Sequence, residues 1–108
     1  MEKSQESERI FEISFIAPVL PDIWTVQGRA YEEINTGDTV GIEVLNSSDE
    51  KVLAKFMVVA AATYGHLVSG LDEGRTGGIT IVAQGSNADI PSYNSQLHGA
   101  EFVVRYQS

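Results

Sequence analysis

The stretch LDEGRTGGITIVAQG, residues 71–85, sets two acids, an arginine and three glycines ahead of an apolar run. Three readings compete for it: a phosphate-cradling loop, a catalytic cluster, or the corner of a β-barrel. A phosphate loop needs Gly-x4-Gly-Lys-Ser/Thr between a strand and a helix; counting five on from Gly70 reaches Arg75, and no lysine follows. Asp72 and Glu73 are adjacent, so on an extended chain they point to opposite faces, whereas two-carboxylate chemistry needs the pair facing across a defined gap. The corner reading remains. Gly74, Gly77 and Gly78 let the chain turn sharply into a strand where side chains would clash. Leu71 then plugs the barrel end, and Asp72 or Glu73 sits in solvent, placed to pair with Arg75 for roughly 0–1 kcal/mol.

Outward from this corner the chain reads as strand after strand. In RIFEISFI, residues 9–16, Phe11, Ile13 and Phe15 alternate with Glu12 and Ser14, the period of a half-buried strand. Pro18 and Pro21 then mark a loop. DIWTVQGRAYE, 22–32, puts Trp24, Val26, Gly28 and Ala30 on one face and Thr25, Gln27, Arg29 and Tyr31 on the other. INTGD, 34–38, is turn chemistry, with Asn35 as cap and Gly37 supplying positive φ. In TVGIEVL, 39–45, Val40, Ile42 and Val44 share a face; NSSDEK, 46–51, is a polar hairpin loop. KVLAKFMVVAA, 51–61, is the longest strand, with Val52, Ala54, Phe56 and Val58 aligned. GGITIVAQG and EFVVRY supply the last strands. No segment carries a capped helical period; AAATYGHLVSG, 60–70, allows one helical turn at most, because Gly65, Gly70 and its β-branched residues oppose more.

Six or so short strands with glycine-rich corners predict an all-β fold: a small six-stranded β-barrel, closed or nearly so, with a sandwich as the other arrangement. Residues 1–8 read as a disordered lead and residues 9–108 as a single β-barrel domain. The longest irregular segment, SNADIPSYNSQLHG at 86–99, is long for so small a domain, which marks it as functional or mobile.

Composition narrows the function classes. The 108-residue chain carries a formal net charge of −8, which disfavours phosphate backbones and anionic lipid as partners. It holds no cysteine, so disulfides and thiolate sites are excluded. MEKSQESER is not a signal peptide, and no apolar run approaches the roughly 20 residues that span a bilayer, so cytoplasm is the expected location. Asn46-Ser47-Ser48 matches a glycosylation triplet and, without an export signal, reads as a turn.

TVQGRAYEEINTGDTVGIEV (25–44) resembles the second domain of the translational GTPases, a barrel with a strand ending in Gly-Arg, an acid, a glycine-bearing turn, Gly-Asp and a further strand. LDEGRTGG resembles the corresponding corner in elongation factor Tu, and Asp89-Ile90 falls where that family has an acid and an isoleucine. The likeness covers about residues 10–105 and implies the translation-factor barrel type. Elongation factor Tu uses residues around this barrel's first strand and loop to help hold the aminoacylated end of transfer RNA. Here that region reads FIAPVLPDIW (15–24), which does not match, so no binding residue carries over. The family's glycine after Asp-Ile is replaced by PSYNSQLHG (91–99), and no GTPase motif is present.

No catalytic constellation emerges. Glu32, Glu33 and Asp38 lack calcium-loop spacing and read as a solvated hairpin end. His66 and His98, both beside loop glycines, have no third metal ligand and no nucleophile elbow to serve. No cofactor is implied. The expected function is a non-enzymatic protein-interaction barrel engaging an unknown protein or a second copy, with EFVVRY as a candidate edge. RNA binding is the alternative, and a small molecule at the barrel mouth a third possibility. Tyr64, His66, Arg75, Tyr93 and His98 are the candidate contacts, on the 64–75 corner and the 86–99 loop. Tyr93 has the strongest claim, as an amphipathic ring in a polar stretch.

Overall fold

The computed structural model describes residues 8–20, 22–45, 51–84, 97 and 99–106. The strands are β1 (Arg9–Leu20), β2 (Ile23–Ala30), β3 (Ile34–Asn35), β4 (Thr39–Leu45), β5 (Lys51–Thr63), β6 (His66–Val68), β7 (Gly70–Leu71), β8 (Thr76–Ala83) and β9 (Phe102–Arg105). In space they run β4-β9-β1-β2-β8-β5, and β4 pairs again with β5, which closes an all-antiparallel barrel of six strands. β6 extends β5 beyond the barrel, and β3 pairs with β7 as a two-stranded flap.

The core follows from alternation. Trp24, Val26, Gly28 and Ala30 of β2 face inward, as do Val40, Ile42 and Val44 of β4 and Ala54, Phe56 and Val58 of β5. Trp24 meets Phe56 edge-to-face, ring centroids 5.7 Å apart, at the centre of the barrel. Ile34 and Leu71, opposite one another in the flap, are both fully buried in the core.

Three features depart from simple alternation. β1 carries a bulge at Ser14, between the Ile13–Gly28 and Phe15–Gln27 pairs, and the extra residue flips the face: Phe15 is exposed and Ile16 is buried. The expected Phe11–Ile13–Phe15 stripe therefore breaks in the middle. β5 does the same at Val59, which is exposed, and Ala61 becomes the next inward residue. Pro18 lies inside β1, opposite Trp24, and not in a loop. Beyond Ile13 the second edge of β1 has no strand partner among the described residues, so a missing N–H is tolerated there. Pro21 lies outside the described residues, as do the 1–7 lead and 46–50.

Two further expectations are corrected. β9 is no free edge: it pairs with β1 on one side and β4 on the other, and so supplies the closing stave. Arg105 of β9 hydrogen-bonds the Glu8 carboxylate at 2.9 Å and that of Glu32 as well. Those two hydrogen bonds, Glu8 first, raise the arginine pKa, and the guanidinium, followed by Glu32, lowers that of Glu8. At the 34–38 turn the cap is Asp38, whose carboxylate accepts from the Asn35 backbone N–H at 2.9 Å; the Asn35 side chain donates to Glu33 instead.

Candidate functional site: an uncharged groove on the outer sheet

The β5–β6 connection is a tight hairpin. Residues 60–70 form no helical turn; the strand runs on to Thr63, and Tyr64-Gly65 reverse it so that Thr63 faces His66. Both turn residues have positive φ, 52° at Tyr64 and 78° at Gly65. That is the backbone of a type I′ hairpin, whose right-handed twist suits the flanking strands and whose first position prefers Asn, Asp or Gly. A tyrosine there works against local preference by about 1 kcal/mol or more. Its ring gains no burial in return, being 83% exposed, and Leu67 on β6 is 82% exposed.

The hairpin forms one side of a groove of about 340 Å³ on the outside of the barrel. Its floor is β8, where Gly77 and Gly78 present bare backbone between Thr76 and Thr80. Thr25 and Gln27 of β2, with Ser14 from the bulge, form the opposite side; Ala60 and Ala62 of β5 lead across to Tyr64 and Leu67. Strand register explains the alignment. Leu67 pairs with Ala62, Ala62 with Gly78, Gly78 with Gln27 and Gln27 with Phe15, one continuous outward row across five strands. The adjacent row is Ala60, Thr80, Thr25 and Ala17.

The groove is lined by no charged residue, on a chain whose net charge is −8. Its hydroxyls are partly committed: Ser14 donates to the Gln27 carbonyl and Thr63 to that of Thr76. Phe15, Val19, Leu20, Val59, Tyr64 and Leu67 are exposed on β1, β5 or the β5–β6 hairpin, and Tyr31 is exposed just after β2; of these, Tyr64 and Leu67 line the groove. Exposed apolar side chains that share a concavity, as Tyr64 and Leu67 do, mark contact surfaces more often than scattered ones.

The 72–75 corner adjoins this groove. The Arg75 N–H donates to the Asp72 carbonyl, and Gly74, with φ of 83°, occupies the third position of the turn. Gly77 is needed for close approach, since a Cβ there would stand 2.5 Å from the Ala62 carbonyl oxygen. Gly78 has ordinary space. Asp72 and Glu73 are exposed, and the Asp72 carboxylate lies 4.0 Å from the Arg75 guanidinium. Tyr64 shares a shallow pocket with Asp72, Glu73 and Arg75, so the fold brings Tyr64 and Arg75 together, with His66 exposed on the same hairpin. Tyr93 and His98 lie outside the described residues. Leu67 and the Ala60–Ala62 and Gly77–Gly78 floor are the groove residues that sequence reasoning missed.

Among the described residues no cluster of three or more His, Cys, Asp or Glu is placed to hold a metal ion. No helix there is long and apolar enough to cross a membrane. No protein-family model matches the chain, and no curated protein or solved structure matches it.

Proposed function

We propose that this chain is a non-catalytic β-barrel that binds another protein through the uncharged outer groove and the Tyr64–Leu67 hairpin. One observation carries the reading: the two most exposed large apolar side chains rim a concavity without a single charge. Water gains little from such a surface, whereas a partner that covers it removes apolar area from solvent. Tyrosine in a strained, exposed turn fits an anchor held ready before contact. The barrel is of the kind found as the second domain of translational GTPases, on the strength of the 25–44 and 71–78 stretches, and acts in the cytoplasm. Arg75, which shares a pocket with Tyr64, and His66, exposed on the same hairpin, supply the polar contacts.

The test is affinity capture from lysate with wild-type chain beside Leu67→Lys, each with and without nuclease and at two salt concentrations. The reading expects a discrete protein that survives nuclease and salt and disappears with the variant. Recovery of RNA that falls steeply with salt would replace it with nucleic-acid binding.

A further inference from the structure

The shape and chemistry of the groove say what kind of element it takes. The strands of its floor have both edges paired within the sheet, β8 between β2 and β5 and β5 between β8 and β6; the edges without a strand partner among the described residues, the outer edge of β6 and that of β1 beyond Ile13, lie to its sides. An extended segment laid across the floor would find no ladder to join, and its own N–H and C=O groups would be covered without partners. A helix satisfies its backbone internally and needs only an apolar face. The dimensions agree. From β2 to β6 is three interstrand steps of about 4.8 Å, about 14 Å, against a helix diameter of about 10–12 Å. A floor of Gly78, Ala60 and Ala62 lets the helix come close, and Gln27 and Leu67 flank it.

Charge selects the partner further. Asp72 and Glu73 stand beside Tyr64 at the groove's end. Two copies meeting through this surface would bring four such carboxylates towards two Arg75 guanidiniums, between molecules that each carry −8. We propose that the groove binds one amphipathic α-helix of a partner protein, about three turns long, with an apolar face on Gly78 and Leu67 and lysine or arginine on its flanks. The inference rests on the interaction reading above and names its partner class.

The test uses two displayed peptide libraries on the full chain. One randomises the apolar face of a lysine-flanked 14-residue helix; the other randomises an alternating extended segment of equal charge. Binders are then measured by fluorescence anisotropy against wild type, Leu67→Lys and Gly78→Val. The Cβ of the last variant has room, 3.4 Å from the Gln27 side chain and 3.5 Å from the Val26 carbonyl oxygen; urea unfolding checks that the fold is kept while the branched side chain fills the floor. The expected result is recovery of helices whose affinity falls at least tenfold with either variant. Recovery of extended binders alone, with the same sensitivity, overturns the helix and leaves the groove as an interface. Self-association in sedimentation that Leu67→Lys abolishes overturns the helix in favour of a second copy. A monomeric chain from which neither library yields a Gly78→Val-sensitive binder overturns both readings.

Discussion

Gly28 and Gly78 lie on neighbouring strands of the barrel, β2 and β8, and the same substitution should act on them in opposite directions. At Gly28 a Cβ would overlap the carbonyl oxygen of Glu12 and stand 2.9 Å from Cε1 of the buried Phe11 ring. Neither neighbour is a flexible side-chain tip: the carbonyl belongs to β1 just before its Ser14 bulge, and Phe11 has no exposed surface. Overpacking a well-filled core costs about 1–3 kcal/mol, and contact with backbone belongs at the top of that range. Restricting the unfolded chain returns about 0.4–1 kcal/mol. Gly28→Ala should therefore lower stability by about 2–3 kcal/mol, a fall in Tm of about 10–20 °C for a domain of this size. At Gly78 the nearest atom would lie 3.4 Å away, so Gly78→Ala should be neutral or stabilising by up to about 1 kcal/mol. Urea unfolding followed by the fluorescence of Trp24, the chain's single tryptophan, reads both. A Gly28→Ala protein within about 0.5 kcal/mol of wild type, or a Gly78→Ala protein as damaged as Gly28→Ala, would refute the register on which the groove is built.

The other expectations follow from the same geometry. Tyr64→Asn places a preferred residue at the first turn position, so it should raise stability by about 1 kcal/mol in urea while weakening partner binding, the signature of a residue kept for contact. Leu67→Lys, at a site 82% exposed, should leave stability within about 0.5 kcal/mol of wild type and abolish capture of the partner. Trp24→Ala empties the barrel centre against Phe56 and should cost about 3–5 kcal/mol by urea unfolding. Arg105 holds the folded pKa of Glu8 below its unfolded value, so this contribution is present at neutral pH and is lost as pH falls through the depressed folded value. Arg105→Gln should accordingly flatten the acid limb of a stability–pH curve, measured by thermal unfolding from neutral pH downwards.

Alternation alone made β2, β4 and the first half of β5 legible, because the inward residues Trp24, Val26, Val40, Ile42, Phe56 and Val58 recur at period two without interruption. It failed where one extra residue enters a strand. Nothing local distinguishes Ser14 or Val59 from its neighbours; each bulge is set by what lies across the sheet, as Gly28 beside β1 illustrates. Pro18 misled for a related reason, since proline excludes a paired edge and β1 has an unpaired one there. The role of β9 was invisible because closure depends on partners far away in the chain.

The groove was half legible. Tyr64, His66 and Arg75 drew notice as single residues, whereas the floor residues are small, unreactive and unremarkable one at a time. A signal was available in charge spacing: residues 13–21, 23–28, 56–71 and 76–88 contain no Asp, Glu, Lys or Arg. The barrel sets these stretches side by side in β1, β2, β8 and the β5–β6 hairpin. Only topology turns four uncharged runs into one surface.

The most direct test of that surface is hydrogen–deuterium exchange of the chain with and without its captured partner. Contact through the groove should slow exchange on the 62–68 hairpin and at 76–80, and leave the Glu43 and Glu101 side of the barrel unchanged. Protection confined to that opposite side, with the hairpin exchanging as in the free chain, would contradict it.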